Sequence, residues 1–297
     1  MENNESPDIV VVGHVAIDKN KFPKGMIESA IGGAPTYTGL ALAALGVRVG
    51  LVAKVGVDFT DQFPPIYSRL GLDTEGLYVS GAYTTTFENT YDENGTRTQI
   101  CKHVAPKIAP EDIPDPYLGA KGFYISPLAN EVSPEVVARI KGNNLVMMDP
   151  QGIFRRIDTK GKVTRDSKVD LKPFLKHVDI VKIGRDEVGA LGKDLKPFVK
   201  ELCTMGPKIA ILTQGKDPLL VFSDDLFHEI KPLKVQAKDT TGAGDVLGGV
   251  FLARYIETSD VIESVKFAAA AAGLKTRFKG PTGYPSRGEI IAATKKI

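Results

Sequence analysis

The chain has 297 residues, 42% hydrophobic and 25% charged, which is the composition of an ordinary globular protein. Its 38 basic and 36 acidic residues leave a formal net charge of +2, so the charge balance gives no reason to expect a nucleic-acid or membrane partner. Two cysteines and four scattered histidines form neither a disulfide framework nor a metal cluster. No apolar run reaches transmembrane length and the polar N-terminus is unlike a signal peptide, so we expect a cytoplasmic protein.

Predicted strands and helices alternate along most of the chain. Short apolar, β-branched runs predict buried strands at Ile9–Val12, Val49–Val55, Phe123–Ile125, Leu145–Met148, Val178–Ile183, Ile209–Thr213 and Leu219–Phe222. Helices are predicted at about Thr36–Leu45, Thr60–Leu70, Pro134–Lys141 and Val261–Lys275, with another beginning at Arg185. This alternation indicates an α/β fold, in which a mostly parallel sheet carries helices on both faces and ligands bind at the carboxyl ends of its strands.

One segment departs from the alternation. Between Thr84 and His103, strand-like residues flank Asp92-Glu93-Asn94-Gly95, a turn sequence typical of an antiparallel hairpin. A short polar strand is also expected around Asp18, with a turn at Pro23-Lys24-Gly25. Such a hairpin does not belong in a parallel sheet, and taken alone it is explained equally well as a decoration at a sheet edge.

Residues 239–245, Asp-Thr-Thr-Gly-Ala-Gly-Asp, lead directly into an apolar helical pattern. The backbone N–H groups of Gly242, Ala243 and Gly244 would project from the helix N-terminus, where the helix dipole favours an anion. Asp245 places a carboxylate one turn into the helix. An anion hole beside a carboxylate base is what phosphoryl transfer to an alcohol needs, although a capped helix start packed through glycines would use the same residue types.

The same seven-residue string resembles the signature of the PfkB/ribokinase family of carbohydrate kinases, and further motifs extend the resemblance over nearly the whole chain. The resemblance implies a ribokinase-like three-layer α/β/α sandwich with a mostly parallel sheet, in a single kinase domain covering residues 1–297. It implies that residues 14–30 and 81–103 form a small β lid, which closes over the substrate and excludes water. It also implies ATP-dependent phosphorylation of a hydroxyl group, with Asp245 as the general base and the Gly242–Gly244 amides as the anion hole.

Two motifs near the N-terminus are assigned to the substrate by this resemblance. The aspartate at the place of Asp18 hydrogen-bonds the hydroxyls of the acceptor, and a pair of glycines like Gly32 and Gly33 lets the backbone approach the sugar. Considered alone, the glycine pair is also explained as a tight turn before a helix. Its combination with Asp18 and the signature string favours a substrate site.

Cation sites are implied by two further motifs. The run from Lys182 to Glu187 resembles an N-x-x-E region whose glutamate positions Mg²⁺ through water, so Glu187 is the predicted magnesium residue and Lys182 is placed in the cofactor site. Gly184 stands where the family has asparagine, which departs from the pattern. Many relatives also hold a monovalent cation such as K⁺ near the position of Asp239.

The nucleotide itself is assigned to two loops. Thr213-Gln214-Gly215 resembles the T-x-G nucleotide loop of the family, and Gly283 lies where the family closes its adenine pocket. Nothing in the chain matches the P-loop sequence of Walker-type enzymes, so that route to ATP binding is excluded.

The substrate is less well determined than the reaction. Asp149-Pro150-Gln151-Gly152-Ile153-Phe154-Arg155 is similar to the inositol-kinase branch, which favours a myo-inositol-like polyol with Gln151 and Arg155 in its site, although Arg155 is explained equally well as a solvated surface charge. The Lys and Asn that follow the glycine pair in ribokinase are absent here. A nucleoside kinase of the same fold, or a non-catalytic sugar-binding regulator, stays open as an alternative, and so does a homodimer formed through the lid.

Overall fold

A computed structural model describes residues 6–21, 23–25, 27–59, 67, 70–93 and 97–297. Its strands are β1 Ile9–Val12, β2 Ala16–Lys21, β3 Ile27–Gly32, β4 Val49–Val55, β5 Asp73–Val79, β6 Thr85–Tyr91, β7 Arg97–His103, β8 Gly122–Ile125, β9 Leu145–Met148, β10 Arg155–Ile157, β11 Val163–Arg165, β12 Ile180–Gly184, β13 Ile209–Thr213, β14 Leu219–Ser223 and β15 Leu226–Ile230. Its helices are α1 Ala34–Ala44, α2 Pro134–Lys141, α3 Lys172–Leu175, α4 Arg185–Ala190, α5 Leu195–Cys203, α6 Ala243–Thr258, α7 Val261–Lys275 and α8 Arg287–Thr294.

Nine strands form one central sheet in the order β15-β14-β13-β12-β9-β8-β1-β4-β5. The strands from β13 to β5 are parallel, whereas β14 and β15 join one edge antiparallel. The predicted mostly parallel sheet is therefore confirmed. Strand β15 was not predicted from the sequence, because apolar and polar residues hardly alternate along it. Its Leu226 and Phe227 are exposed at the sheet edge.

Helices cover both faces of this sheet, which confirms the three-layer α/β/α sandwich. On one face, α1, α6, α7 and α8 bury a continuous apolar layer that includes Leu40, Val250 and Ala268. On the other face, α2 to α5 bury a second layer that includes Val137 and Val199. Full burial of each leucine or valine side chain contributes about 1.5–3 kcal/mol, so both layers stabilise the sheet between them. No helix in the described ranges is both long and apolar enough to cross a membrane.

A separate four-stranded sheet has the order β3-β2-β6-β7. Strands β2, β6 and β7 lie within residues 14–30 and 81–103, the two segments predicted to form the lid, and β3 extends two residues beyond the first segment. Strand register places Asp18 opposite Phe87, and Asn20 opposite Asn89, while Asn89 faces Gln99 on β7. Because side chains alternate along each strand, Asp18 and the three amides share one face of this sheet.

A short hairpin, β10–β11, was not predicted from the sequence, because its strands are polar and only three residues long. Its turn is attached to the small sheet: the Cys101 N–H donates to the Gly161 carbonyl at 2.7 Å, and Ile100 bridges Lys162. Most of the predicted helix at 60–70 lies outside the described residues, and so do Asn94 and Gly95 of the predicted turn. Helix α1 begins two residues before the prediction, since Pro35 is compatible with a first helical turn.

Candidate active site

Polar side chains gather where parallel strands end. Ser126 follows β8, Asp149 follows β9, and Thr213 ends β13, so all three lie at the carboxyl edge of the central sheet. Ligands of open α/β sheets bind at this edge. The N-terminus of α6, which carries the signature string, meets the same edge, because Ser126 contacts Asp245.

Asp245 occupies the first turn of α6 and is held from three directions. Its Oδ1 accepts hydrogen bonds from Gln151 Nε2 at 3.2 Å and Ser126 Oγ at 3.4 Å, and Gln151 Nε2 also donates to Ser126 Oγ at 3.0 Å. Thr38 Oγ1 donates to the Asp245 backbone carbonyl at 2.8 Å, which ties α6 to α1. In the part of the chain that the structure describes, Oδ2 has no hydrogen bond. The carboxylate therefore has a fixed orientation and one oxygen available to a ligand.

The electrostatic surroundings of Asp245 suit a base. Burial raises the pKa of this carboxyl from 3.8 to about 6, and the nearby charge of Asp149 adds to the rise. Lys182 and Arg155, both cationic, limit the rise in pKa. A base works best when its pKa lies near the operating pH, because it is then ionised and still binds a proton well.

The backbone ahead of Asp245 has the conformation of an anion site. Gly242 caps α6 with φ 74° and ψ 0°, and a Cβ there would lie 2.1 Å from the Tyr37 ring, so only glycine fits. The amides of Gly242 and Gly244 have no backbone acceptor among the described residues. The predicted third donor is different: the Ala243 N–H donates to the Thr240 carbonyl at 3.2 Å, because the turn before the helix closes on itself. Of the three predicted donors, two therefore keep an N–H without a backbone acceptor in the described part of the chain.

Lys182 lies directly below this loop. A Cβ on Gly244 would be 3.4 Å from Lys182 Nζ, and the ammonium donates a short hydrogen bond to Asp149 Oδ2. Both side chains are almost completely buried. Burial alone would lower the pKa of Lys182, but its ion pair with Asp149 outweighs this and raises it. The lysine is therefore a permanent positive charge beside the anion site.

A small cavity of about 200 Å³ joins these groups to the predicted magnesium residue, Glu187. A Cβ on Gly184 would lie 2.2 Å from Glu187 Oε2, so the carboxylate occupies the space that the family asparagine would need. No three acidic, histidine or cysteine side chains in the described ranges are arranged to bind a metal alone. One carboxylate completed by water and the phosphate oxygens of a donor fits Mg²⁺, which binds few protein ligands and retains water.

The predicted nucleotide residues have different positions. Thr213 lines the small cavity, and its hydroxyl donates to the Ile183 carbonyl at 3.4 Å. Gly215 has φ 64° in the turn after β13 and is not among the residues that line that cavity. Gly283 has φ 71° and packs against the Phe278 ring, 2.0 Å from where its Cβ would be. The conformation explains glycine at both positions, and a role of either in nucleotide binding stays a prediction.

A larger cavity of about 750 Å³ lies between the small sheet and the loop before α6. The predicted substrate residues Asp18, Gly33, Gln151 and Arg155 line it together with Asp245. Gly32 lies immediately behind Asp18, as its Cβ would be 2.3 Å from Asp18 Oδ2. Positions far apart in the sequence thus meet around one cavity that contains the candidate base.

Arg155 is held in this cavity by its own contacts. Its guanidinium donates to the Leu128 carbonyl at 3.1 Å and lies 5.3 Å from the centre of the Phe87 ring. A solvated surface charge would not make both contacts, so they favour the interpretation of Arg155 as a residue of the cavity. The residue also lines a neighbouring basic cavity of about 520 Å³, which extends under the β10–β11 hairpin.

Several residues of the site were missed by the sequence analysis. Ser126 orients Asp245, and its place directly after a predicted strand was the available signal. Asn20, Asn89 and Gln99 line the large cavity from three different strands. Their alignment depends on strand register, which no local pattern specifies.

A cavity, a buried carboxylate and a glycine-lined helix N-terminus meet at the carboxyl edge of a parallel sheet, an arrangement that suits transfer of a phosphoryl group to a small molecule. The sequence model of the pfkB family of carbohydrate kinases matches residues 6–287, which is nearly the whole chain. The chain belongs to this family, and it is an enzyme that transfers a phosphoryl group to a hydroxyl. This class excludes the open alternative of a non-catalytic regulator.

Named relatives differ in substrate. A cytidine kinase from Thermococcus kodakarensis is 32% identical over 265 residues, covering 87% of this chain and 92% of the relative. A nucleoside kinase from Methanothermobacter thermautotrophicus is 25% identical over 97% of this chain and 96% of its own length. Among solved structures, a pyrophosphate-dependent ribokinase-family kinase complexed with a pyrophosphate analog and myo-inositol has a TM-score of 0.80 at 24% identity, covering 96% and 99% of the two chains. This last likeness concerns the fold alone.

Proposed function

We propose that the protein is an ATP-dependent kinase that phosphorylates a hydroxyl of a ribonucleoside. The observation that carries the proposal is a row of side-chain amides, Asn20, Asn89 and Gln99, which lines the acceptor cavity one pleat beyond Asp18. A six-membered polyol would fill the space near Asp18 and leave this row unused. A nucleoside would place its ribose near Asp18 and its base along the amides.

The amides of this row are joined by hydrogen bonds. Asn89 Nδ2 donates to Asn20 Oδ1 at 3.0 Å, and Gln99 Nε2 donates to Asn89 Oδ1 at 2.9 Å. In the described ranges, Gln99 Oε1 and Asn20 Nδ2 then have no further partner. Gln99 Oε1 is therefore a hydrogen-bond acceptor at one end of the row, and Asn20 Nδ2 is a donor at the other end. Side-chain amides recognise the edge of a nucleobase through such a donor and acceptor.

The acceptor hydroxyl is deprotonated by Asp245 in this proposal. Gln151 and Ser126 hold Oδ1, so Oδ2 receives the proton as the hydroxyl oxygen attacks the terminal phosphorus of the donor. The bond between that phosphorus and its bridging oxygen breaks, and the electron pair leaves with ADP. We infer that the four-stranded sheet acts as a lid over this reaction and excludes water.

The donor phosphates are assigned to the small cavity. The Gly242 and Gly244 amides and the Lys182 ammonium neutralise charge on the migrating group, and Lys182 stays protonated because Asp149 pairs with it. Glu187 would hold Mg²⁺ through water, and that ion would neutralise the phosphate oxygens. Thr213, Gly215 and Gly283 are proposed to position the rest of the nucleotide.

A myo-inositol-like polyol is the second candidate substrate. It is supported by Gln151 and Arg155, the two residues of the inositol-like motif, since both line the acceptor cavity beside Asp245. A homodimer through the lid also stays a prediction.

A coupled ADP-release assay tests both candidates. The acceptors are cytidine, uridine, adenosine, myo-inositol and ribose, each at the same concentration with ATP and Mg²⁺. We expect kcat/KM to be highest for a nucleoside, and Asn89→Leu to lower kcat/KM for nucleosides while any activity with ribose is unchanged. A ranking headed by myo-inositol would reject the nucleoside proposal in favour of the polyol.

A further inference from the structure

The loop that carries the anion site does not have the surroundings that a monovalent cation requires. Asp239, near which such a cation was expected, already accepts two backbone hydrogen bonds: Thr241 N–H donates to Oδ1 at 2.9 Å and Gly280 N–H to Oδ2 at 2.8 Å. The ammonium of Lys275 lies close enough to interact with this carboxylate electrostatically: burial lowers the pKa of the lysine, and the charge of Asp239 opposes that fall. A second positive ion in the same region would be repelled by the first.

Lys275 is an unusual lysine. It is the last residue of α7 and is completely buried. Its ammonium donates to the Phe278 carbonyl at 3.3 Å and lies over the rings of Tyr37 and Tyr284, at 5.6 Å and 6.0 Å from their centres. Carbonyl oxygen, carboxylate and aromatic faces are the groups that stabilise a desolvated cation, whereas lysines are almost never fully buried without such partners.

These contacts connect the ammonium to the anion site. The Tyr37 ring, on which Lys275 rests, is the group that packs against Gly242. Directly after Lys275, the Thr276 carbonyl accepts the N–H groups of Lys238 at 2.7 Å and Asp239 at 3.0 Å. The lysine therefore lies at the junction between the loop before α6 and the loop after α7.

We propose that the Lys275 ammonium is a built-in replacement for a monovalent cation, which holds the anion-site loop in its active shape and makes the enzyme independent of K⁺. Lys275 is a positioning residue, because it acts through Tyr37 and Asp239 and does not touch the donor. The inference rests on the proposed kinase function only where turnover is measured.

Wild-type enzyme is the first arm of the test. Turnover is measured with KCl from zero to about 100 mM at constant ionic strength, with N-methylglucamine chloride replacing KCl. We expect less than about a twofold change over this range, within the nonspecific effects of salt. A rise of several-fold with K⁺ would overturn the proposal.

Variants without the charge form the second arm. In Lys275→Met and Lys275→Ala, we expect kcat/KM for the donor to fall by about 100-fold, because a displaced anion site is poorly aligned. K⁺ or NH₄⁺ should restore much of the activity of Lys275→Ala, in which space for an ion is opened, while Li⁺ and N-methylglucamine should not. Lys266→Met removes another lysine from the same helix and should behave as wild type. Full activity of Lys275→Met without added cation contradicts the proposal.

A readout without turnover separates this inference from the proposed function. The Tm of the ligand-free protein should be the same in K⁺ and N-methylglucamine for wild type, and K⁺ should raise it for Lys275→Ala, since only the variant has a vacant cation site. This result is expected even when none of the acceptors is turned over. If neither variant folds, the Tm and turnover of the wild type in K⁺ decide the question.

Discussion

The carboxylate of Asp18 lies where a side chain on Gly32 would have to be. A Cβ on Gly32 would approach Asp18 Oδ2 to 2.3 Å and Asp18 Cγ to 3.3 Å. In the register of the β2–β3 pair, Gly32 lies opposite Ala16 and is a diagonal neighbour of Asp18, so a larger residue at position 32 pushes the carboxylate out of place. The glycine therefore positions the aspartate as well as leaving room in the acceptor cavity.

Gly32→Ala is expected to raise KM for the acceptor by about tenfold or more, because about 1.4 kcal/mol of lost binding corresponds to tenfold in affinity. The KM for the donor should change little, as the small cavity is untouched. Steady-state kinetics with each substrate varied in turn measure both constants. Gly288→Ala is the matched control, since its Cβ would meet nothing within 4 Å and alanine suits a helix. An unchanged acceptor KM in Gly32→Ala would show that Asp18 is not fixed by this contact.

Asp245 allows a prediction in which activity and stability move in opposite directions. Because its pKa is raised to about 6, the folded protein holds this proton more tightly than the unfolded chain does. Stability contributed by the group is therefore lost as pH rises from about 4 to about 6, by up to about 3 kcal/mol, and stays lost above that range. Turnover has the opposite dependence, since a general base must be ionised, and should fall as pH drops through about 6.

Asp245→Asn should lower kcat by about 10²–10⁴-fold and raise Tm at pH 8. The asparagine removes the base but also removes the cost of a buried negative charge. Tm measured at pH 4 and pH 8 should show a smaller difference between the two proteins at the lower pH. Asp260→Asn serves as the control: it changes a carboxylate at the N-cap of α7 to an amide that caps about equally well, so Tm and kcat should both stay close to wild type. Near-normal turnover by Asp245→Asn is the outcome incompatible with its role as base.

Local sequence was sufficient for the parts of the site that lie within one motif. The string at 239–245 specifies both a helix start and a carboxylate one turn into it, so Asp245 and the loop of Gly242 were placed correctly relative to each other. The regular strand–helix alternation likewise determined the three layers of the fold. In both cases, the deciding interactions are between residues close in sequence, or between elements whose order is set by chain connectivity.

Interactions that depend on tertiary register were not predictable in this way. The row Asn20, Asn89 and Gln99 exists only because β2, β6 and β7 pair with one particular alignment, and a shift by one residue would turn each side chain to the other face. Lys275 was equally hidden, because a lysine at the end of an alanine-rich helix is normally solvated and favours the helix dipole. Its burial follows from the loop after α7, which folds back over it.

The buried pair of Lys182 and Asp149 gives a stability prediction. Lys182→Met leaves the Asp149 carboxylate buried without its partner, which should destabilise the protein by about 3–5 kcal/mol. The double variant Lys182→Met with Asp149→Leu replaces both charges by apolar groups and should recover most of that loss. Urea denaturation measures the free energy of unfolding of each protein. Both variants should be inactive, since the positive charge beside the donor phosphates is absent from each, and an active double variant would argue against a role of Lys182 in the reaction.

A substitution at Gly184 can test whether the loss of the family asparagine allows Glu187 to occupy its present position. Since a Cβ at position 184 would lie 2.2 Å from Glu187 Oε2, Gly184→Asn must displace the carboxylate. If Glu187 holds Mg²⁺ where it now lies, the variant should need about tenfold more Mg²⁺ for half-maximal turnover, which is the lower end of the loss expected when an outer-shell group is disturbed. Glu187→Gln should have a similar effect, and the double variant should be little worse than either single one, because both changes disrupt the same contact.

Magnesium titrations of turnover for wild type, the two single variants and the double variant measure this coupling. Losses that multiply in the double variant would mean that positions 184 and 187 act independently, and that the glycine serves only the backbone turn into α4.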